Sequence, residues 1–234
     1  MNELIILAGG LGTRLRSEVP DLPKCMAPVN GVPFIDYVMQ YFQSQKMEKF
    51  IFALGYKSEI LQEYLIKKYG SSSILFSIED EPLGTGGAIK LACSKVFGEN
   101  AFVTNGDTLF KVNTKTLENL HLEKKSRCTL TLKPMKNFER FGVVETDEEN
   151  RIVQFSEKKY YAQGLIKGGF YALNIFEFLK KNTPKKFSFE KDFLEKFYTE
   201  RNMFASVQDN YFIDMGIPED YKRAAEELYP VSGI

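Results

Sequence analysis

The stretch ELIILAGGLGTRLR, residues 3–16, decides the fold. An apolar run of strand type stops at a glycine pair, and a threonine and two arginines follow within six residues. No Gly-x-x-x-x-Gly-Lys-Ser/Thr string occurs in the chain, so the loop is not a Walker loop. A dinucleotide fingerprint needs a third glycine or alanine where Leu15 stands and an acid near the end of the second strand, where the chain reads IFALGY. What remains is a strand-to-loop junction whose backbone N–H groups can face an anion, with Arg14 offering a planar fork suited to phosphate oxygens.

Outward from that loop, short runs rich in isoleucine, valine and phenylalanine alternate with helical patterns. ELIILA reads as a strand, PFIDYVMQYFQSQ as a helix with Pro33 near its start, KFIFALG as a strand, and SEILQEYLIKKYG as a helix capped by Ser58 and ended by Gly70. SILFSIE is a strand, GTGGAIKLACSKVF a loop running into a helix, and AFVTNGD a strand stopping at Gly106–Asp107. This alternation implies a parallel sheet covered on both faces, with the hydrophobic stripes as its core. After NTKTLENLHLEK, a helix capped by Asn113, the runs RCTLTLKP, FGVVETD, RIVQFSEK and GGFYALN predict an antiparallel patch, with TDEENR as a turn. SFEKDFLEKFY is then helical, FASVQ and YFIDMG are strands, and IPEDYKRAAEEL is a closing helix with Pro218 in its first turn. With no repeat, linker or low-complexity tract, the expectation is one domain over residues 1–234.

Composition narrows the function classes. Thirty-one basic residues balance thirty-one acidic ones, so no global field draws in nucleic acid or an anionic membrane, and phosphate affinity must be local. Apolar runs fall far short of a bilayer span and the N-terminus lacks a signal-peptide pattern, so a cytoplasmic protein is expected. Cys25, Cys93 and Cys128 are widely spaced and form no Cys-x-x-Cys pair, which argues against a disulfide framework or a zinc site. A single histidine, His121, argues against imidazole chemistry.

In an open α/β sheet, ligands bind at the carboxyl ends of the strands. Four groups fall there: the Gly9–Arg14 loop, EDEPLGTGGA, NGD and FIDMG. Lys24 sits among Pro20, Pro23 and Pro28, which stiffen the segment presenting its ammonium. Asp107 ends a buried strand with no cation nearby in sequence, so a metal or a hydrogen-bonding cap is expected. Asp214 presents the same picture from a distant part of the chain, and the two acids together could hold Mg²⁺, which takes few protein carboxylates and completes its shell with water and phosphate oxygens. Glu157-Lys158-Lys159 reads either as a solvated strand end or as a lysine on a second phosphate with a glutamate on sugar hydroxyls. Gly168 and Gly169 either let a ring approach the backbone or mark a bulge.

LAGGLGTRLRSEVPDLPKCMAPV, PLGTGGA, NGD, FGVVE, SEK, KGGFYALN, FSFEKDFL and FIDMGIPEDY, in that order over nearly the entire chain, resemble the sugar-1-phosphate nucleotidyltransferases. Within that family they look most like the short bacterial D-glycero-D-manno-heptose-1-phosphate guanylyltransferases. The resemblance implies a Rossmann-like, GT-A-like α/β fold with a mixed, mostly parallel central sheet, helices on both faces and a small antiparallel sugar-binding annex. Residues 1–110 would form the nucleotide-binding half and 111–234 the sugar-phosphate half. Carried over residue by residue, it implies that the backbone of Leu7, Ala8, Gly9, Gly10 and Gly12 cradles the nucleotide, with Thr13 and Arg14 on the triphosphate. Lys24 would sit against the α-phosphate, Asp107 and Asp214 would hold Mg²⁺, and Arg14, Lys24 and Asp107 would be catalytic. The base would lie near Glu79, Glu81, Gly84 and Thr85, a glutamate suiting the paired donor edge of guanine. Lys158 would take the sugar phosphate, with Glu157, Gly142 and Gly169 lining the sugar pocket. Cys25 stands where the family usually shows a second proline, and Lys167 where asparagine is more usual before the two glycines.

The implied reaction joins GTP and D-glycero-D-manno-heptose 1-phosphate to give GDP-heptose and pyrophosphate, for bacterial surface polysaccharide synthesis. Neither a protein nucleophile nor a general base is needed, because the sugar phosphate is already anionic. The substrates are then the partners, with neither nucleic acid nor membrane among them, and the resemblance leaves room for a homodimer. Other readings are a mannose- or glucose-1-phosphate enzyme using GTP, UTP or dTTP, a non-catalytic homologue that senses a nucleotide-sugar, and a glycosyltransferase, which normally carries an Asp-x-Asp motif absent here.

Overall fold

A computed structural model describes residues 1–10, 22–55 and 57–229. Gly12, Thr13 and Arg14, on which the phosphate-loop reading rests, lie outside the described residues, as does Pro20. The chain begins with β1 (Glu3–Leu7), then a 3-10 turn at Lys24–Met26 and a small ribbon of β2 (Pro28–Val29) and β3 (Val32–Pro33). There follow α1 (Phe34–Ser44), β4 (Lys49–Leu54), α2 (Ser58–Tyr69), β5 (Ile74–Ile78), α3 (Gly84–Ala92), β6 (Asn100–Asn105), β7 (Thr108–Phe110) and α4 (Thr114–Glu123). The second half adds β8 (Cys128–Phe138), β9 (Val143–Thr146), β10 (Ile152–Ser156), β11 (Tyr161–Asn174) and α5 (Ile175–Leu179). Last come a helical run over 189–200 that includes α6 (Glu195–Phe197), then β12 (Met203–Val207), β13 (Phe212–Asp214) and α7 (Pro218–Glu227).

Strand β1 pairs in parallel with β4 on one side and β6 on the other, and β4 continues in parallel to β5. Beyond β6 the sheet turns antiparallel through β11, to which β8 and β9 pair, with β10 antiparallel on β9 and β12 parallel on β8. The order therefore reverses at β1, and the crevice at the carboxyl ends of β1 and β6 is the topological switch point where ligands bind in open α/β sheets. This mixed sheet, parallel in the first half and chiefly antiparallel in the second, is the architecture read from the strand spacing.

Alternation along the buried strands builds two cores. Leu4 and Ile6 of β1 join Phe34, Phe42, Phe102 and Phe170 on one face, where the rings of Phe42 and Phe170 stack 4.9 Å apart. Ile5 joins Ile51, Val103, Phe178, Phe189 and Phe193 on the other. Local chemistry ends several helices as expected: Asn113 accepts from the Thr116 amide at 3.0 Å, Gly70 turns out of α2 at φ 75°, and Pro218 opens α7.

Two local readings need correction. Ser58 does not cap α2 but is its first residue, preceded by Lys57 at φ 53° with no side-chain cap bond. GTGG is not a loop before a helix: α3 begins at Gly84 itself, because the carbonyl of Phe187 accepts from the Gly86 amide at 2.9 Å and supplies the cap. SFEKDFLEKFY is helical as expected, opening with a π turn over Phe189–Leu194 and closing with a 3-10 turn at Tyr198–Glu200. Among the described residues, no helix is long and apolar enough to cross a membrane.

Candidate active site

Two adjoining cavities open at the switch point. The larger, about 610 Å³, is lined by Leu7, Ala8, Gly9 and Gly10 at the end of β1, by Lys24, by 79–82, Gly84 and Thr85 after β5, and by Asp107. The smaller, about 390 Å³, lies over the antiparallel part of the sheet and is lined by Gly142, Glu157, Lys158, Lys167, Gly169 and Asp214, among others. Asn105 and Glu190 line both, so they mark the junction. The described residues expected to hold nucleotide thus gather on one cavity and those expected to hold sugar phosphate on the other.

The floor of the larger cavity requires glycine. A Cβ on Gly55 would sit 2.5 Å from Glu79 Oε1, and one on Gly9 would sit 3.0 Å from the Gly55 nitrogen. Three strand ends therefore close-pack, and the Glu79 carboxylate lies against them with Oε2 accepting from the Leu83 amide at 3.1 Å. Burial raises the Glu79 carboxyl above the usual range, with the Leu83 amide pulling the other way. Glu81 behaves differently: it is exposed and its carboxylate accepts from Lys185 Nζ at 2.7 Å, so the side chain is tied to the rim. Thr85 is committed as well, its hydroxyl donating to Glu190 Oε2 at 2.8 Å while accepting from the Phe189 amide at 2.8 Å. Gly84 adopts φ +72°, and a Cβ there would lie 2.6 Å from the Phe187 carbonyl oxygen. The glycines of GTGG thus seat the 185–190 segment against α3, and the helix end is closed by protein rather than left open to an anion.

Asp107 follows β6 in a turn, and β7 then pairs antiparallel with β13, placing Asp214 opposite Thr108. The Met215 amide donates to the Asp107 carbonyl at 2.9 Å, which locks the two acids side by side across 107 positions of sequence. Asp107 lines the nucleotide-type cavity and Asp214 the other, so the pair straddles the junction. Asp214 is largely buried, and burial first and then the charge of Asp107 raise its carboxyl above the usual aspartate range, while Lys24 and Arg140 oppose the rise. Asp107 has no cation nearby in sequence, and the fold brings it one: Lys24 Nζ donates to its carboxylate from 83 positions away. Cys25 beside it is buried, and burial together with Asp107 pushes its thiol up to about 12, so it is not a nucleophile at neutral pH.

Two neighbouring carboxylates at the junction are hard oxygen donors of the kind that suits a divalent cation completing its shell with water and phosphate oxygens. Among the described residues there is no group of three or more His, Cys, Asp or Glu side chains that would form an all-protein cage.

In the smaller cavity the backbone of Gly142 passes close to β10: a Cβ would lie 2.4 Å from the Ser156 carbonyl oxygen. Gly168 and Gly169 settle differently. A Cβ on Gly168 would lie 2.3 Å from the Phe110 ring, while Gly169 at φ +74° sits in a bulge that shifts the β11–β8 register between Lys167 and Tyr171. His121 is buried on α4, its ring nitrogens 2.9 Å from Thr129 Oγ1 and 3.0 Å from Asn100 Oδ1, and burial lowers its pKa to about 4; it lines neither cavity. The sequence reading gave no role to Asn105 or Glu190. Asn105 stands inside the NGD motif, and a Cβ on Gly169 would come 3.0 Å from its Nδ2, but only the pairing of β6 with β11 reveals that contact.

A nucleotide-sized cavity at the switch point, joined by an acid pair to a second polar cavity, defines an α/β protein with a two-ligand site. The chain belongs to the nucleotidyl transferase family, whose model matches residues 3–229. It is 47% identical to the D-glycero-alpha-D-manno-heptose 1-phosphate guanylyltransferase of Aneurinibacillus thermoaerophilus, over 97% of this chain and 98% of that protein. It is 44% identical to the enzyme of that name from Campylobacter jejuni, over 94% and 96% of the two chains. The crystal structure of HddC from Yersinia pseudotuberculosis complexed with GMP-PN superposes with a TM-score of 0.86 at 38% identity, covering 97% of this chain and 99% of that one.

Proposed function

We propose that this protein is a guanylyltransferase that joins GTP and D-glycero-D-manno-heptose 1-phosphate to give GDP-heptose and pyrophosphate, in the cytoplasm and for a surface polysaccharide. The observation that carries the reading is the pair of adjoining cavities with Asp107 lining one and Asp214 the other. Full-length similarity to two heptose 1-phosphate guanylyltransferases supports the choice of substrates.

In this reading an oxygen of the sugar phosphate attacks the α-phosphorus in line, the bond from that phosphorus to the β-bridging oxygen breaks, and pyrophosphate leaves with the electron pair. No proton is transferred by the protein. Its task is to position two polyanions and offset their repulsion. The strand-end backbone of Leu7–Gly10 holds the triphosphate together with Arg14, which lies outside the described residues. Glu79 offers a carboxylate to the guanine donor edge, a role that Glu81 shares less readily because Lys185 holds it at the rim. Lys24 presents an ammonium already fixed by Asp107 next to the transferring phosphorus. Lys158 takes the sugar phosphate, while Glu157 and the backbone at Gly142 and Gly169 face the ring. Asp107 and Asp214 hold Mg²⁺, which supplies charge neutralisation and a template for both phosphates when bound.

The test is a grid of four nucleoside triphosphates against mannose, glucose and heptose 1-phosphates with Mg²⁺, read as pyrophosphate formed. GTP with the heptose should give the highest kcat/KM. A wild-type protein releasing no pyrophosphate from GTP with any of the three sugars refutes the proposal.

A further inference from the structure

Lys167, the residue before Gly168 and Gly169 in β11, has a charged partner in the smaller cavity. Its Nζ donates to Glu195 Oε1 at 3.3 Å, and it lies 5.2 Å from the centroid of the Phe155 ring. Both charged side chains line the smaller cavity and are only partly exposed, Lys167 at 22% and Glu195 at 33%. A charged pair set into a ligand cavity costs desolvation that a modest Coulomb gain barely offsets, so stability does not account for it.

Its place along the cavity points to a use. The junction with the nucleotide side is marked by Asn105 and Glu190. Gly169 lies against Asn105, and β11 runs back from there to Lys167, two residues or about 7 Å at the rise of a strand. The helical segment runs forward from Glu190 to Glu195, five residues or about 7 Å at the rise of a helix. Two separate elements therefore carry Lys167 and Glu195 about 7 Å along the chain from the junction residues to one meeting point on the cavity lining.

We propose that the Lys167–Glu195 pair reads the vicinal diol of a sugar 1-phosphate carrying a two-carbon arm beyond its ring, and so selects a heptose over a hexose. The inference rests on the activity proposed above and adds its specificity element. A hydroxyl both donates and accepts. The ammonium has three donors, of which one goes to Glu195, and the carboxylate has lone pairs beyond the one facing Lys167. One arm hydroxyl accepts from Lys167 while its neighbour donates to Glu195. Mannose 1-phosphate keeps the first arm carbon but lacks the second hydroxyl, which leaves one member of a desolvated charged pair without its partner. A site built to bond a hydroxyl discriminates strongly against the analogue that lacks it.

The experiment compares wild type with Lys167→Met and Glu195→Gln, each with GTP and Mg²⁺, measuring kcat/KM for heptose 1-phosphate and for mannose 1-phosphate in the same preparation. In either variant the ratio of the two values should fall about ten- to hundredfold, the worth of one hydrogen bond to a charged group, and the loss should sit in KM for the heptose. Because the ratio is taken within one preparation, a fraction of misfolded protein cancels. An unchanged ratio overturns the inference and leaves the guanylyltransferase reading standing. An equal loss on both sugars also overturns it, by making Lys167 a phosphate ligand. A wild type inactive with both sugars refutes the activity and the inference together.

Discussion

Replacing Lys24 by methionine separates the two things its side chain does. The ammonium is bonded to Asp107, with Lys24 17% and Asp107 31% exposed, so the pair is partly wet. Removing the charge leaves Asp107 in contact with water, and the loss of such a pair costs about 1 kcal/mol or less of stability, which for a chain of this size moves Tm by about 2–4 °C at most. In the proposed reaction the same ammonium would face the phosphorus at which negative charge develops, where deleting one fixed contact costs about 3–4 kcal/mol, a hundred- to thousandfold in rate. Methionine keeps the length and apolar stem, so the packing of the 3-10 turn over Cys25 and Met26 should survive. Pyrophosphate release and thermal melting on the same sample should therefore show kcat/KM falling by two to three decades with Tm nearly unmoved. Because the ammonium occupies the carboxylate assigned to the metal, the nucleotide-free variant should also bind Mn²⁺, used as a probe for Mg²⁺, more tightly than wild type. Wild-type turnover, or a rate loss matched by a collapse of Tm, would show that Lys24 is not the preset cation described here.

Asp214 should give the metal-free protein a distinct pH dependence. Its folded pKa is raised, so through the window between the ordinary aspartate value and the raised one the folded state holds more protons than the unfolded chain; stability falls as pH climbs through that window, and the penalty is fully present above it. Asp214→Asn should therefore melt higher than wild type at neutral pH in EDTA, with the gap closing on acidification; a gap that does not vary with pH argues against the assignment. Gly86→Ala places a Cβ 2.2 Å from the Phe187 ring, an overpacking worth about 1–3 kcal/mol. It should lower Tm and raise KM for both substrates by shifting Glu190, while Gly10→Ala, with nothing within 4 Å, should melt like wild type; equal melting of the two variants contradicts this account.

What the sequence made legible was governed by short-range chemistry. Strand alternation, the Asn113 cap, Gly70 and Pro218 each depend on neighbours a few positions away, and each appears where the pattern places it. Ser58 misled because a serine before an apolar run is a fair cap, yet the chain enters α2 through Lys57 in the left-handed region instead. The site was legible as a set of strand ends, since the carboxyl edge of a parallel sheet collects its loops by topology alone. Its internal bonds were not: Lys24 to Asp107, Thr85 to Glu190 and Lys185 to Glu81 each join residues more than eighty positions apart, and no periodicity encodes such a meeting. The same holds for Glu190, whose place at the junction follows from the Phe187 carbonyl capping α3.

That carbonyl makes the base-side loop and the sugar-side wall one mechanical piece. The Gly86 amide, the Leu83 carbonyl and the Thr85 hydroxyl all bind to the 187–190 backbone and side chains. On the proposed reading, seating a purine against Glu79 would stiffen the partition that the second substrate must meet, which favours ordered kinetics with the triphosphate entering first. It also limits engineering: grafting a different base preference onto 79–87 would require transplanting 185–190 with it, or the acceptor side of the enzyme would be detuned by the exchange.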